Sequence, residues 1–411
     1  MPLGLMVTAG VVPSHWQVEI VDECISPVSI TPDADLIGIT AMTCQAVRAY
    51  EIADAYRKLG KPVILGGIHP SALPDEALAH ATAVAVGEAE GTLPQMLRDF
   101  EAGMLAGIYR TQGVPRIATP RRDLLNRRDY LVNNCVQISR GCPHRCRFCT
   151  TQAMYQGRYN TRPVDEILQE LRDMNAKWVI FADDNIFGNP PWSREFFTKL
   201  TKLRIRWAGQ ASINVARDRG LLALMKRSGC MGVILGLESP SPASLAEGNK
   251  TYCKPEDYIP LIQQIHAAHI GTWGSFIFGF DSDNVQTLQA AVKFARKAKI
   301  GITIYPILTP YPGTPIYDEY SAAGRILTRD WSRYTGATVV FQPKQMTPRQ
   351  LANCQVAAFR EFNSWSSILE RINPLRQRAT FLVNLSMHLG FRHYYHRQKK
   401  NWPDFRDAET W

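Results

Sequence analysis

The sequence predicts an α/β chain in three parts: a small doubly wound domain on a parallel sheet, a partial barrel of six strand-helix units, and a mostly helical, basic C-terminal region. Three observations carry this. Short apolar runs alternate with helical periodicity over residues 17–97. A longer strand-helix series occupies 135–308. It stops at the Pro-Tyr-Pro-Gly-Thr-Pro hexapeptide 310–315, beyond which 347–371 reads as helix. The 411 residues suffice for two or three domains at roughly 150 each. With 45% hydrophobic and 20% charged residues, disordered and collagen-like chains are excluded.

In the first part, residues 1–107, strands are expected at 18–21, 36–40, 62–65 and 83–86, with a helix over 46–59. Strands interleaved with helices make a parallel sheet, because parallel neighbours need crossover connections. Glycines fall at strand ends, in Leu65-Gly66-Gly67-Ile68-His69-Pro70 and Val86-Gly87-Glu88-Ala89-Glu90-Gly91, at the edge where such sheets take ligands. Residues 108–134, with Arg121, Arg122, Arg127 and Arg128, read as a connector. The barrel, 135–320, should have strands at 135–139, 178–182, 206–212, 232–237, 272–278 and 302–308, with its chemistry at their C-terminal ends. The last part is 321–411.

Nine cysteines are present, three of them in Cys142-Pro143-His144-Arg145-Cys146-Arg147-Phe148-Cys149 and the rest scattered. That is no disulfide framework, and a reducing compartment is expected. The N-terminus carries no charged leader, and no run of eighteen apolar residues occurs, so a cytoplasmic protein is the expectation. The net charge of +10 favours anionic partners without naming one.

Thiolates at CxxxCxxC spacing on one loop can hold three corners of an iron–sulfur cube and leave the fourth iron open to an exogenous chelator. A zinc site completed by His144 or Cys135, and a purely electron-carrying cluster, use the same thiols; the position of the loop, directly after the first barrel strand, argues against both.

This loop resembles that of the radical S-adenosylmethionine (SAM) superfamily, with Phe148 as the aromatic residue before the last cysteine. The resemblance implies a [4Fe-4S] cluster on Cys142, Cys146 and Cys149, SAM chelated at the open iron, reductive formation of a 5′-deoxyadenosyl radical, and Phe148 near the adenine. It implies acceptors for the SAM ammonium in Asp183, Asp184 and Asn185, a ribose contact in Glu238, and a contact to the SAM carboxylate or the substrate from Ser212 or Gln210. A helix N-cap formed by Asp184 or Asn185 and a salt bridge for Glu238 are the competing structural roles.

Residues 36–91, together with Pro2-Leu3-Gly4-Leu5, resemble the cobalamin-binding class of that superfamily. Gly66, Gly67, Gly87 and Glu88 would then line a corrinoid lying across the sheet edge, small residues admitting the flat macrocycle. Members usually open with a further strand and loop, so the first corrinoid-contacting loop is expected to be missing, and the DxHxxG motif is absent. His69 is read as a turn histidine, with axial ligation as the alternative.

The implied activity is methylation of an unactivated carbon on a lipid-like or polycyclic small molecule, with a reductant such as flavodoxin or ferredoxin. Cyclisation, rearrangement or desaturation is the rival within enzymes. A tRNA methylthiolase would need ligands for a second cluster that Cys24 and Cys44 do not provide. An RNA-binding or scaffold protein with a structural metal is the rival outside enzymes, although nucleic acid is not the expected partner. The tail (Arg371, Arg376, Arg378, Arg392, Arg397, Lys399 and Lys400, with Phe381, Phe391, Tyr394, Tyr395 and Trp402) suits either peripheral membrane contact or a helix capping the barrel.

Overall fold

The computed structural model describes residues 1–372 and 380–401, without the side chains of 394–401. Strands β1 (Ile37–Thr40), β2 (Val63–Gly66), β3 (Ala83–Val86) and β4 (Gly107–Arg110) form a parallel sheet in that order. Alternate side chains point to opposite faces, so Val63, Leu65 and Val84 pack with Ala49, Ile52 and Ala53 of the helix Ala46–Lys58, while Ile64, Ala83 and Ala85 pack with Met96 of the helix Ala89–Glu101. Both faces are therefore helix-covered.

Two expectations are corrected here. Residues 18–21 are irregular: among the described residues no strand runs alongside to complete their hydrogen bonds, and β1 has only β2 beside it. Conversely, β4 lies at the start of the stretch read as a connector and pairs with β3. The short Gly-Ile-Tyr-Arg run carries little apolar signal by itself. Its neighbour makes it a strand.

The second sheet comprises β5 (Cys135–Val136), β8 (Trp178–Phe181), β9 (Arg206–Ala211), β10 (Cys230–Glu238), β11 (Gly271–Phe276) and β12 (Ile302–Ile304), all parallel, with β5 and β12 at the two edges. The six-unit partial barrel is thus present. The first expected strand is broken into β5 and β6 (Ser139–Gly141), and β6 turns away to pair antiparallel with β7 (Tyr159–Thr161). The cysteine loop lies between β6 and β7, so the hairpin fixes both of its ends.

Phe181, Trp207, Phe276 and Tyr305 are fully buried between the sheet and its surrounding helices, Phe181 and Trp207 against Phe197, Phe276 against Phe294, and Tyr305 against Phe359 and Phe362. Proline at the helix start with a side-chain cap just before it begins several of the surrounding helices, as at Asn189-Pro190, Thr314-Pro315 and Thr347-Pro348.

The helix Phe381–Asn401 docks at the opposite end of the barrel from the cysteine loop. Trp273 Nε1 donates to Asn384 Oδ1 at 2.9 Å, and His388 Nε2 lies 2.9 Å from the Gly301 carbonyl. Arg371 is buried, donating to the Ile300 carbonyl at 2.7 Å and stacking 3.5 Å over the Phe362 ring. Arg392 donates to the Asn363 carbonyl at 2.9 Å. These two members of the basic row serve packing. Arg376, Arg378 and Trp402 lie outside the described residues, as do the side chains of Tyr394, Tyr395, Arg397, Lys399 and Lys400. No helix among the described residues is long and apolar enough to cross a membrane.

Candidate active site

The cysteine loop is strapped to the segment after β10. Arg147 N–H donates to the Gly248 carbonyl at 3.0 Å, and Asn249 Nδ2 donates to the Arg145 carbonyl at 2.8 Å. The Phe148 ring lies over Gly248, where a Cβ would come within 2.8 Å of it, and meets Phe280 edge-on at 5.9 Å. Phe148 and Phe280 thereby form one aromatic wall. Asp283 accepts from Gly279 N–H, Phe280 N–H and Ser244 Oγ, which fixes the turn presenting Phe280.

Cys146 is buried, whereas Cys142 and Cys149 are half-buried. Burial raises the Cys142 thiol and pushes Cys146 up to about 11, so cluster assembly must release their protons. Asn185 Nδ2 lies 3.9 Å from Cys142 Sγ, and the Tyr252 hydroxyl 3.9 Å from Cys146 Sγ. The His144 ring is stacked on Tyr252 at 3.6 Å, and Cys135 sits within β5, paired with Ile180. Three thiols on one loop, with hydrogen-bond donors beside two of them, have the chemistry of a donor set for a cluster gripped from one side.

The residues ending β8 divide their work. Asp183 is fully buried and accepts from Ile138 N–H, Ser139 N–H and Ser139 Oγ. Its carboxyl is pushed up to about 7 by burial, and it acts as a brace under the start of the cysteine loop instead of a ligand group. Asp184 accepts from Thr151 Oγ1 at 2.8 Å, and burial raises its pKa. Ser212 caps the short helical turn Ile213–Arg217 through Asn214 N–H, and Gln210 is exposed.

Glu238 occupies a bulge in β10 with φ +61°, a conformation that a non-glycine residue adopts only where its surroundings impose it. Its carboxylate pairs with Lys250 at 2.8 Å, both side chains buried. The space for the pair is left by Gly236, whose Cβ would lie 2.6 Å from Glu238 Oε1 and 3.1 Å from Lys250 Nζ. Burial works against the Lys250 charge, but Glu238 and Cys146 more than offset this and its pKa is raised. Sequence reading missed Lys250, Thr151 and Tyr252. A lone lysine is ordinarily solvated, and only Gly236 signals the close approach.

At the edge of the first sheet, Gly67 and Gly87 have φ +98° and +97°. A Cβ on Gly67 would meet Thr40 and Ala41 within 2.9 Å, and one on Gly87 would meet Thr111 within 2.9 Å, so both glycines are required by the turns themselves. Gly66 is in ordinary contact with Ala85. Glu88 turns to Arg140 of β6 at 3.0 Å. His69 is fully buried, with Nε2 3.3 Å from Glu76 Oε1, which also accepts from Tyr50 and from Trp331 Nε1. Its Nδ1 is buried without a hydrogen-bond partner among the described residues. Met42, just past β1, is half-exposed at the same edge. An apolar side chain held open at a ligand edge fits a flat, largely apolar macrocycle. The helix Ile68–Ala72 of this edge packs on the helix Thr150–Tyr155 that follows the cysteine loop, with Gly313 placed against Ala72 and Ala153.

The sequence model of the radical SAM superfamily matches residues 136–295, and that of the B12 binding domain matches 1–97. The bacteriochlorophyllide d C-12(1)-methyltransferase of Chlorobaculum tepidum is 30% identical over 94% of this chain and 88% of its own length; the C-8(2)-methyltransferase of the same organism is 30% identical over 97% and 92%. The hopanoid C-2 methylase of Rhodopseudomonas palustris is 26% identical over 80% of this chain and 66% of its own. In fold the chain is similar to the radical SAM methyltransferase TsrM from Kitasatospora setae, solved with cobalamin and a [4Fe-4S] cluster, at a TM-score of 0.63 and 15% identity over 91% of this chain and 88% of that one. A protein that carries its cysteine loop at the mouth of a parallel barrel and a Rossmann-like sheet edge beside it belongs to the cobalamin-binding class of radical SAM enzymes, with [4Fe-4S], SAM and cobalamin as cofactors.

Proposed function

We propose that the protein methylates an unactivated carbon on a rigid polycyclic substrate, a tetrapyrrole being the first candidate and a hopanoid-like lipid the second. The observation that carries the reading is the direct packing of the helix after β2 on the helix after the cysteine loop, which brings the corrinoid-type edge and the thiols to one place. The names of the relatives support the substrate class: bacteriochlorophyllides and hopanoids are both polycyclic.

When bound, the cluster with SAM supplies the means to remove hydrogen from an inert carbon, and the corrinoid supplies the methyl group. The chain's own part is to bind, orient and exclude water. Cys142, Cys146 and Cys149 would hold the cluster. Asp184 and Asn185 would accept from the SAM ammonium, Glu238 would accept from the ribose, and Phe148 with Phe280 would cover the adenine. The turns at Gly66–Gly67 and Gly87 would shape the corrinoid edge, whereas the Glu88 carboxylate is taken up by Arg140. A one-electron donor of flavodoxin or ferredoxin type would serve as reductant.

The test is anaerobic reconstitution with iron, sulfide and hydroxocobalamin, then incubation with SAM, titanium(III) citrate and a panel of bacteriochlorophyllides and hopanoids. A product heavier by one methylene, with S-adenosylhomocysteine and 5′-deoxyadenosine both formed, is expected. A substrate changed without mass gain, with 5′-deoxyadenosine alone, would move the reading to cyclisation or desaturation.

A further inference from the structure

Arg140 lies two residues before the first cluster thiol, yet its guanidinium belongs to the other domain's surroundings. Nη1 donates to Glu88 Oε1 at 3.0 Å and Glu90 Oε2 at 2.9 Å, Nη2 lies 2.9 Å from Glu90 Oε1, and Nε donates to Gln137 Oε1 at 3.0 Å. The three charged side chains are 5–9% exposed. Glu88 immediately precedes the helix Ala89–Glu101, where a short polar side chain ordinarily caps its own helix; it makes no such bond and points to Arg140 instead. Two acids on one base is a poor arrangement for stability, since buried ion groups are often matched or bettered by apolar side chains of the same volume. What a forked, fully bonded guanidinium provides is geometry.

The linkage to the cluster loop is stiff. Gly141 has φ +83°, and its Cβ position lies 2.1 Å from the Arg158 carbonyl, so the backbone between Arg140 and Cys142 is locked against β7. On the other side Glu88 directly follows Gly87, whose turn is locked against Thr111. A shift of one turn is therefore transmitted to the other.

We infer that Arg140, gripped by Glu88 and Glu90, is a positioning residue that sets the corrinoid-bearing sheet edge at a fixed distance from the cluster loop, so that methyl transfer depends on it while reductive cleavage of SAM does not. This rests on the methyltransferase reading. Cleavage needs only the barrel, whereas moving the SAM methyl group to the corrinoid requires both domains in register.

The experiment uses the full-length holoenzyme, reconstituted with iron, sulfide and hydroxocobalamin, in three forms besides the unaltered one: Arg140→Gln, Arg140→Lys, and the triple substitution Glu88→Gln, Arg140→Gln, Glu90→Gln. The triple form leaves no buried charge unpaired and is the one expected to keep its cluster and cooperative unfolding if Arg140→Gln does not fold. With SAM and titanium(III) citrate, the ratio of S-adenosylhomocysteine to 5′-deoxyadenosine should fall by about fivefold or more in the triple form, with 5′-deoxyadenosine within about twofold of the unaltered enzyme. Arg140→Lys should give an intermediate ratio. Hydrogen exchange in residues 86–91 and 137–141 should accelerate together by about tenfold. An unchanged ratio, or a parallel fall of both products, overturns the inference. If the unaltered enzyme forms no S-adenosylhomocysteine, the methyltransferase reading falls. The exchange data then judge the clamp alone, and unchanged exchange in the triple form overturns it.

Discussion

Lys250 reaches back along the chain to place its ammonium 2.8 Å from the Glu238 carboxylate, inside the mouth of the barrel. The salt bridge, one of the two roles the sequence offered for Glu238, is present, and it holds the Glu238 side chain at the end of β10. Removing one partner strands the other. Lys250→Met is expected to destabilise the protein by about 3–5 kcal/mol in urea unfolding, and Lys250→Met with Glu238→Leu to recover most of that. Equal losses for the single and double forms would refute the pairing.

The cysteines can be separated by what they hold. Cys146→Ala should reduce reconstituted iron to background and abolish 5′-deoxyadenosine formation. Cys135→Ala and His144→Ala should keep iron and turnover within about threefold. Zinc in place of iron, lost on His144→Ala, would restore the mononuclear-site alternative.

Neighbouring glycines should behave differently. Gly66→Ala meets only ordinary contacts and should cost less than about 0.5 kcal/mol. Gly67→Ala meets backbone at under 3 Å with φ +98° and should cost about 2 kcal/mol or more. Thermal unfolding of the two variants decides; equal shifts would mean that the turn does not need its glycine.

Asp283 makes stability depend on pH. Burial raises its carboxyl to about 6 from 3.8, against the opposing hydrogen bonds of Ser244, Gly279 and Phe280. A raised carboxyl in the folded state binds more protons than in the unfolded chain, so its contribution is complete below 3.8 and is lost as pH rises through about 6. Relative to Asp283→Asn, the unaltered protein should lose up to about 1.4 kcal/mol per pH unit across that window. Parallel stability profiles for the two proteins would remove Asp283 as the source.

His69 should leave the corrinoid without an axial protein nitrogen. Its ring is enclosed, 5.2 Å from Trp331, with Nε2 held by Glu76. Electron paramagnetic resonance of the cob(II)alamin-loaded enzyme should show no nitrogen splitting from the protein, and His69→Gln should leave the spectrum unchanged. A splitting lost in that variant would establish ligation.

By itself the sequence determined the alternation that builds both parallel sheets, because apolar periodicity is a local property, and it marked the three thiols as the candidate cluster ligands, because their spacing puts them on one loop. It also marked Glu238 and the run Asp183, Asp184 and Asn185 at strand ends, since parallel sheets present ligands there. Tertiary structure alone decided what each polar group faces. Residues 18–21 fail as a strand and Gly107–Arg110 succeeds because a strand exists only where a neighbour completes its hydrogen bonds. Asp183 turns to the backbone of Ile138 and Ser139, Glu88 to Arg140 and Glu238 to Lys250, because a buried charge must take whichever partner folding brings within reach, and those partners are remote in the chain.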